Sequence, residues 1–137
     1  MKVTNYENSK KLWEIGFKGN FDFAWEGENN LIKCGISDSQ NQGTKERLEQ
    51  IIIKLYRWFP AYDLETILEA LPNSLEQGAR ITHLELNKDF VGYVSGTWDN
   101  DGLEAEREVG EPLADTAARL LIKLHEQNLI KFGGDNA

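Results

Sequence analysis

The stretch RITHLELNKDFVGYVSGTWDNDGLEAEREVGEP, from Arg80 to Pro112, decides the fold. Three β-like runs at about 80–87, 90–98 and 103–109 are separated by two turn-forming clusters, Asn87-Lys88-Asp89 and Asp99-Asn100-Asp101-Gly102. Connections this short join antiparallel neighbours, because a parallel crossover needs a dozen or more residues. Towards the C-terminus, Gly110-Glu111-Pro112 leads into a helix at Leu113 to Gln127. Proline suits its first turn, Glu111 and Asp115 favour the positive dipole end, and Lys123 and His125 favour the negative end. Its apolar stripe runs Leu113, Ala117, Leu120, Leu121, Leu124.

Towards the N-terminus, Asp63 caps a short helix from Leu64 to Leu71, which Pro72-Asn73 stops. Before it, Leu48, Ile51, Ile52, Leu55, Trp58 and Phe59 recur at helical spacing, so a helix starting at Thr44 is expected to run to Pro60. Residues 37–43 read as a loop and mark a possible subdivision. Phe21, Phe23 and Trp25 alternate with polar or small residues, turn chemistry follows at Gly27 to Asn30, and Leu31 to Ile36 completes a hairpin. Thr4 and Glu7 have capping-box spacing for a first helix at about 5–15. The expected fold is one α+β domain over 1–137, an antiparallel sheet of about five strands in two hairpin regions covered by about four helices.

A chain of 137 residues with 40% hydrophobic residues and four tryptophans has enough apolar material for a packed core. The net charge of −8 is unevenly divided. Residues 1–60 carry nine Lys/Arg against eight Asp/Glu, whereas residues 61–137 carry six against fifteen. Counterion release rewards basic surfaces on phosphate, so the acidic C-terminal part is not expected to grip nucleic acid; it suits a basic protein partner. The N-terminus turns polar before a signal-like apolar run forms, no window is apolar enough to span a bilayer, and the single Cys34 makes no internal disulfide, so a cytoplasmic location is expected.

The segment 99–115 is the candidate site. Asp99 and Asp101 before Gly102 resemble the start of a calcium loop, with Glu108 at its twelfth position, but Thr97 stands at the first and the flanks read as strands. A hairpin turn explains the same residues, and no metal or cofactor is expected. Glu104, Glu106 and Glu108 alternate along the last strand, about 6.6 Å apart at the usual rise. Together with Asp99 and Asp101 they form either a solvated, edge-protecting face or a binding face for a basic groove. Cys34 and His83 are the pair from which a thiol nucleophile and base could be drawn, on different hairpins. The tryptophans read as core rather than as base-stacking platforms. No dinucleotide-binding, P-loop, zincin, C-x-x-C or nucleophile-elbow motif occurs.

From about residue 60 onward, the helix Asp63 to Leu71, the hairpins ending in Gly92-Tyr93 and Trp98-Asp99-Asn100-Asp101-Gly102, and the closing helix from Gly110-Glu111-Pro112 resemble small uncharacterised proteins of bacteriophages and prophages. The resemblance implies an α/β/α-type layered domain and a phage setting in a bacterial cytoplasm, and brings no catalytic residues. The leading expectation is a non-enzymatic protein-binding module using the acidic surface. The alternatives are a small-ligand or metal-dependent enzyme with Asp99, Asp101 and Glu108 as ligands, and a structural protein that self-associates.

Overall fold

The structure, a computed structural model, describes residues 2–36, 41–77, 80–94 and 103–132. Helix α1 (Tyr6–Glu14) leads into the hairpin β1 (Phe23–Gly27) and β2 (Asn30–Lys33). Helix α2 (Gln42–Gln50) continues as a π-helical turn over Ile51–Leu55, followed by β3 (Phe59–Ala61) and α3 (Leu64–Ala70). Strands β4 (Ser74–Gln77), β5 (Arg80–Leu86), β6 (Phe90–Val94) and β7 (Glu104–Glu106) precede α4 (Leu113–Glu126).

The α+β class is as expected, but the strands form two antiparallel sheets, ordered β2-β1-β3 and β4-β5-β6-β7. The long helix expected up to Pro60 is corrected: it ends at Leu55, and Phe59-Pro60-Ala61 pairs with β1 instead. Arg57, at φ 57°, takes the chain out of the helix, and an edge strand tolerates a residue without an N–H. Strand β4 occupies residues read as no element, adding Leu75 to the core beside Thr82 of β5.

The caps show how local sequence sets these bounds. Asn5, not Thr4, caps α1, its side chain accepting from Asn8 N at 2.8 Å. Asn41, not Thr44, caps α2. Asp63 caps α3 as expected, accepting from Thr66 N at 2.8 Å. Thr4 is buried instead and ties three segments together. Its Oγ1 lies 2.7 Å from Ser9 Oγ and accepts from Tyr62 N at 3.0 Å, while its carbonyl accepts from Trp25 Nε1 at 2.9 Å.

One apolar cluster joins the parts. Leu120, Leu121 and Leu124 of α4 are fully buried, with Leu12 of α1, Ile67 of α3, and Val91 and Tyr93 of β6. Each large side chain so buried contributes about 1.5–3 kcal/mol. Helix α4 packs on α1, α3, β6 and β7, so it holds the last strand and the turn after it in place.

Candidate functional site

Strand β7 places the expected acidic residues only in part. Ala105 is buried, leaving Glu104 half-buried and Glu106 exposed on the opposite face. Glu108 lies beyond the strand end, so the three glutamates do not form one strand face. Asp99, Asp101 and Trp98 lie outside the described residues.

Cations from α4 then interrupt the acidic run. Arg119 forms a two-point ion pair with Glu111, Nη2 to Oε1 at 2.7 Å and Nε to Oε2 at 2.9 Å, and also donates to the Glu106 carbonyl. Lys123 Nζ reaches the Glu104 carbonyl at 3.5 Å. Burial pushes the Glu111 carboxyl up, but hydrogen bonds from Arg119, Thr116 and the Glu108 amide outweigh it and hold its pKa below the ordinary value. Asp115 is not a surface acid either. It is buried, and burial raises its pKa against the opposing hydrogen bonds from Asn8 and the Asn5 amide. What remains outward is the end of β7 and the turn after it, where Glu106, Arg107 and Glu108 are exposed and Val109 stands fully in solvent.

The turn is held from within. Glu111 N donates to Glu108 O at 3.0 Å, Gly110 takes φ 76°, and Arg107 donates to the carbonyls of Glu111 at 2.6 Å and Lys88 at 3.2 Å. A left-handed φ of this kind is open to glycine without a Cβ penalty.

The structure does not bring the other candidates together. Cys34 follows β2 in the first sheet and His83 lies on β5 in the second. Burial, assisted by the Asp22 charge, pushes the Cys34 thiol up to about 11, so it is protonated at neutral pH and is no nucleophile there. His125 stacks on Phe132, with ring centroids 5.6 Å apart. Among the described residues, no three His, Cys, Asp or Glu side chains are placed to hold a metal. A cavity of about 410 Å³ near α2 and α3 is lined in part by Asp22, Lys45, Glu49 and Asp63. Asp63 is occupied there as the cap of α3. Burial, then the neighbouring Glu46, raises Glu49 above the ordinary carboxylate value.

A different surface is the one sequence reading missed. The π-helical turn and the residues after it present Leu55 and Tyr56 to solvent at 71% and 53% exposure. Beside them lies a groove of about 500 Å³, lined by Trp13, Ile53, Lys54, Arg57, Trp58 and Phe59. Trp58 stacks obliquely on Tyr56 at 4.8 Å, and Phe59 meets Tyr6 edge-on at 5.7 Å. Among the described residues, no acidic side chain lines the groove. Trp58 packs against the core as expected, but it and Trp13 are only partly buried and also line the groove. The signal was the run Lys54-Leu55-Tyr56-Arg57-Trp58-Phe59, whose alternating cations and aromatics read as the tail of a helix.

Aromatic side chains with arginine, in a pocket that excludes part of the water, are the composition that concentrates binding energy at protein interfaces. π-helical turns also occur frequently at functional sites. Comparison with known proteins finds no matching family model, no matching curated protein and no matching solved structure.

Proposed function

We propose that the chain is a non-enzymatic protein-binding module, and that its groove at Trp13, Lys54, Arg57 and Trp58 takes an acidic protein segment carrying an apolar anchor. The observation that carries this is the groove itself: aromatic and aliphatic walls with two cations, and no carboxylate among the described residues that line it. An apolar anchor would lose its water against Ile53, Trp58 and Phe59, while flanking carboxylates meet Lys54 and Arg57. Charge complementarity of this kind steers encounter and selects partners. The setting of this reading is a phage or prophage protein in a bacterial cytoplasm, in keeping with the resemblance beyond residue 60. No helix among the described residues is long and apolar enough to cross a membrane.

The test is tryptophan fluorescence and calorimetry with a blocked peptide in which one leucine is flanked on each side by two glutamates. Binding that weakens with salt, and that Lys54→Glu with Arg57→Glu abolishes in a chain of unchanged circular dichroism, supports the proposal. Equal binding of the lysine-flanked counterpart overturns the charge argument. Displacement of the peptide by oligo-dT would instead assign the groove to single-stranded nucleic acid, whose binders combine aromatic platforms with a basic groove.

A further inference from the structure

We infer that the acidic segment for which this groove is built is the 106–111 turn of a second copy of this chain. The inference rests on the acidic-segment reading of the groove. The turn has the required chemistry in one place: Val109 is a fully exposed apolar residue, and Glu106 and Glu108 beside it are exposed carboxylates. Its shape is set in advance, by the Glu111 N to Glu108 O hydrogen bond, the φ of 76° at Gly110, and Arg107 bound to two carbonyls. A projection held this way loses little conformational freedom on docking, which is where much of the cost of association lies.

The groove offers the converse. Ile53, Trp58 and Phe59 form an apolar seat for one branched side chain, and Lys54 and Arg57 at the lining meet the two glutamates. The turn's own surroundings and the groove share no lining residue, so one copy's turn and its groove are separate surfaces. A single contact leaves the donor's groove and the acceptor's turn free, so association proceeds beyond a pair unless a reciprocal two-fold pair or a larger ring uses them all. A contact of one turn in one groove is small, and interfaces below about 1,200 Å² are weak and transient, so the association is expected only at high protein concentration and low salt.

Sedimentation velocity of the whole chain over a wide concentration range tests this. The wild type is expected to show a sedimentation coefficient that rises with concentration and falls back when salt is added. Val109→Asp is expected to abolish the rise, and Val109→Ala to shift it to higher concentration; both lie at a solvated position whose replacement leaves the core intact. Lys54→Glu/Arg57→Glu and Glu106→Lys/Glu108→Lys are each expected to sediment as monomers alone. Mixed in equal amounts they are expected to associate again, because each then meets a partner of opposite charge. A wild type that stays monomeric throughout, a Val109→Asp variant that still associates, or a mixture that fails to recover would each overturn the inference. If the leucine–glutamate peptide binds while the wild type stays monomeric, the acidic-segment reading survives and the self-contact alone is wrong. If the peptide also fails, both are wrong.

Discussion

Asn8 of the first helix donates its Nδ2 to Asp115 Oδ1 of the last at 2.9 Å, and the same oxygen accepts from the Asn5 amide at 2.7 Å. Two elements 107 residues apart are thus joined through one buried carboxylate. Because burial raises its folded-state pKa, the protonated form is favoured by folding. Its contribution is greatest below the unfolded value near 4 and is lost as pH rises through the raised folded value. Asp115→Asn keeps the accepting oxygen without the charge, so at pH 7 it is expected to melt no lower than the wild type. Asp115→Ala leaves two donors without a partner and is expected to cost about 2 kcal/mol. Denaturant titrations of both variants at pH 4 and pH 7 check this, and an Asn variant as unstable as the Ala variant would refute it.

The Arg119–Glu111 pair has the opposite pH dependence. Glu111 is held below its ordinary pKa in the folded chain, so its contribution is present above the unfolded value near 4.3 and is lost as pH falls through the folded value. The Arg119 side chain is 34% exposed, which limits the gain. Glu111→Gln is expected to cost about 1 kcal/mol at pH 7, with the difference from wild type shrinking on acidification. Thermal melts from pH 7 down to pH 3 show whether the two curves converge.

Much of the fold could be read from the sequence because its signals were local. Asp63 with the following helix, the Asn87-Lys88-Asp89 turn and the stripe Ala117, Leu120, Leu121, Leu124 each lie within a few residues of one another. What escaped depended on partners far along the chain. Thr4 has a capping pattern but is drawn inward by Ser9, Trp25 and Tyr62, and Pro60 looks like a helix stop yet enters a strand because β1 offers it an edge. The site was less legible for the same reason. The acidity of 99–115 is plain in one dimension, but Arg119 lies beyond it on α4, and Trp13 reaches the groove from α1, more than forty positions from Lys54 and Arg57.

Cys34, half-buried after β2, should behave as a sluggish thiol rather than as a reactive one. With its pKa pushed up to about 11, modification by a disulfide reagent is expected to be slow at pH 7.5 and to accelerate about tenfold per pH unit until that value. The urea-unfolded chain should react as an ordinary cysteine, with a pKa near 8.5. Rapid modification of the folded chain at neutral pH would contradict the burial.

Gly92 is required by close approach rather than by its dihedral angles. A Cβ there would lie 2.5 Å from Glu104 Cβ and 2.9 Å from Glu104 Cα, on the strand paired with it. Backbone has to shift to relieve such contacts, so Gly92→Ala is expected to cost about 1–3 kcal/mol and to displace β7. At Gly27 an added Cβ meets nothing within 4 Å, and Gly27→Ala is expected to stay within about 0.5 kcal/mol of the wild type. Chemical denaturation of the two variants side by side measures the contrast.

Arg57 sets stability against binding at the groove. Its φ of 57° is left-handed, a conformation that costs a side chain with a Cβ roughly 1–2 kcal/mol and costs glycine little. Arg57→Gly is therefore expected to relieve that strain, offset in part by glycine's greater freedom when unfolded, for a net gain below about 1 kcal/mol. The same change removes one of the two cations lining the groove, so affinity for the leucine–glutamate peptide should fall while the midpoint of unfolding rises. A loss of stability would show that the arginine side chain holds the turn through its packing, and unchanged peptide affinity would remove Arg57 from the binding surface.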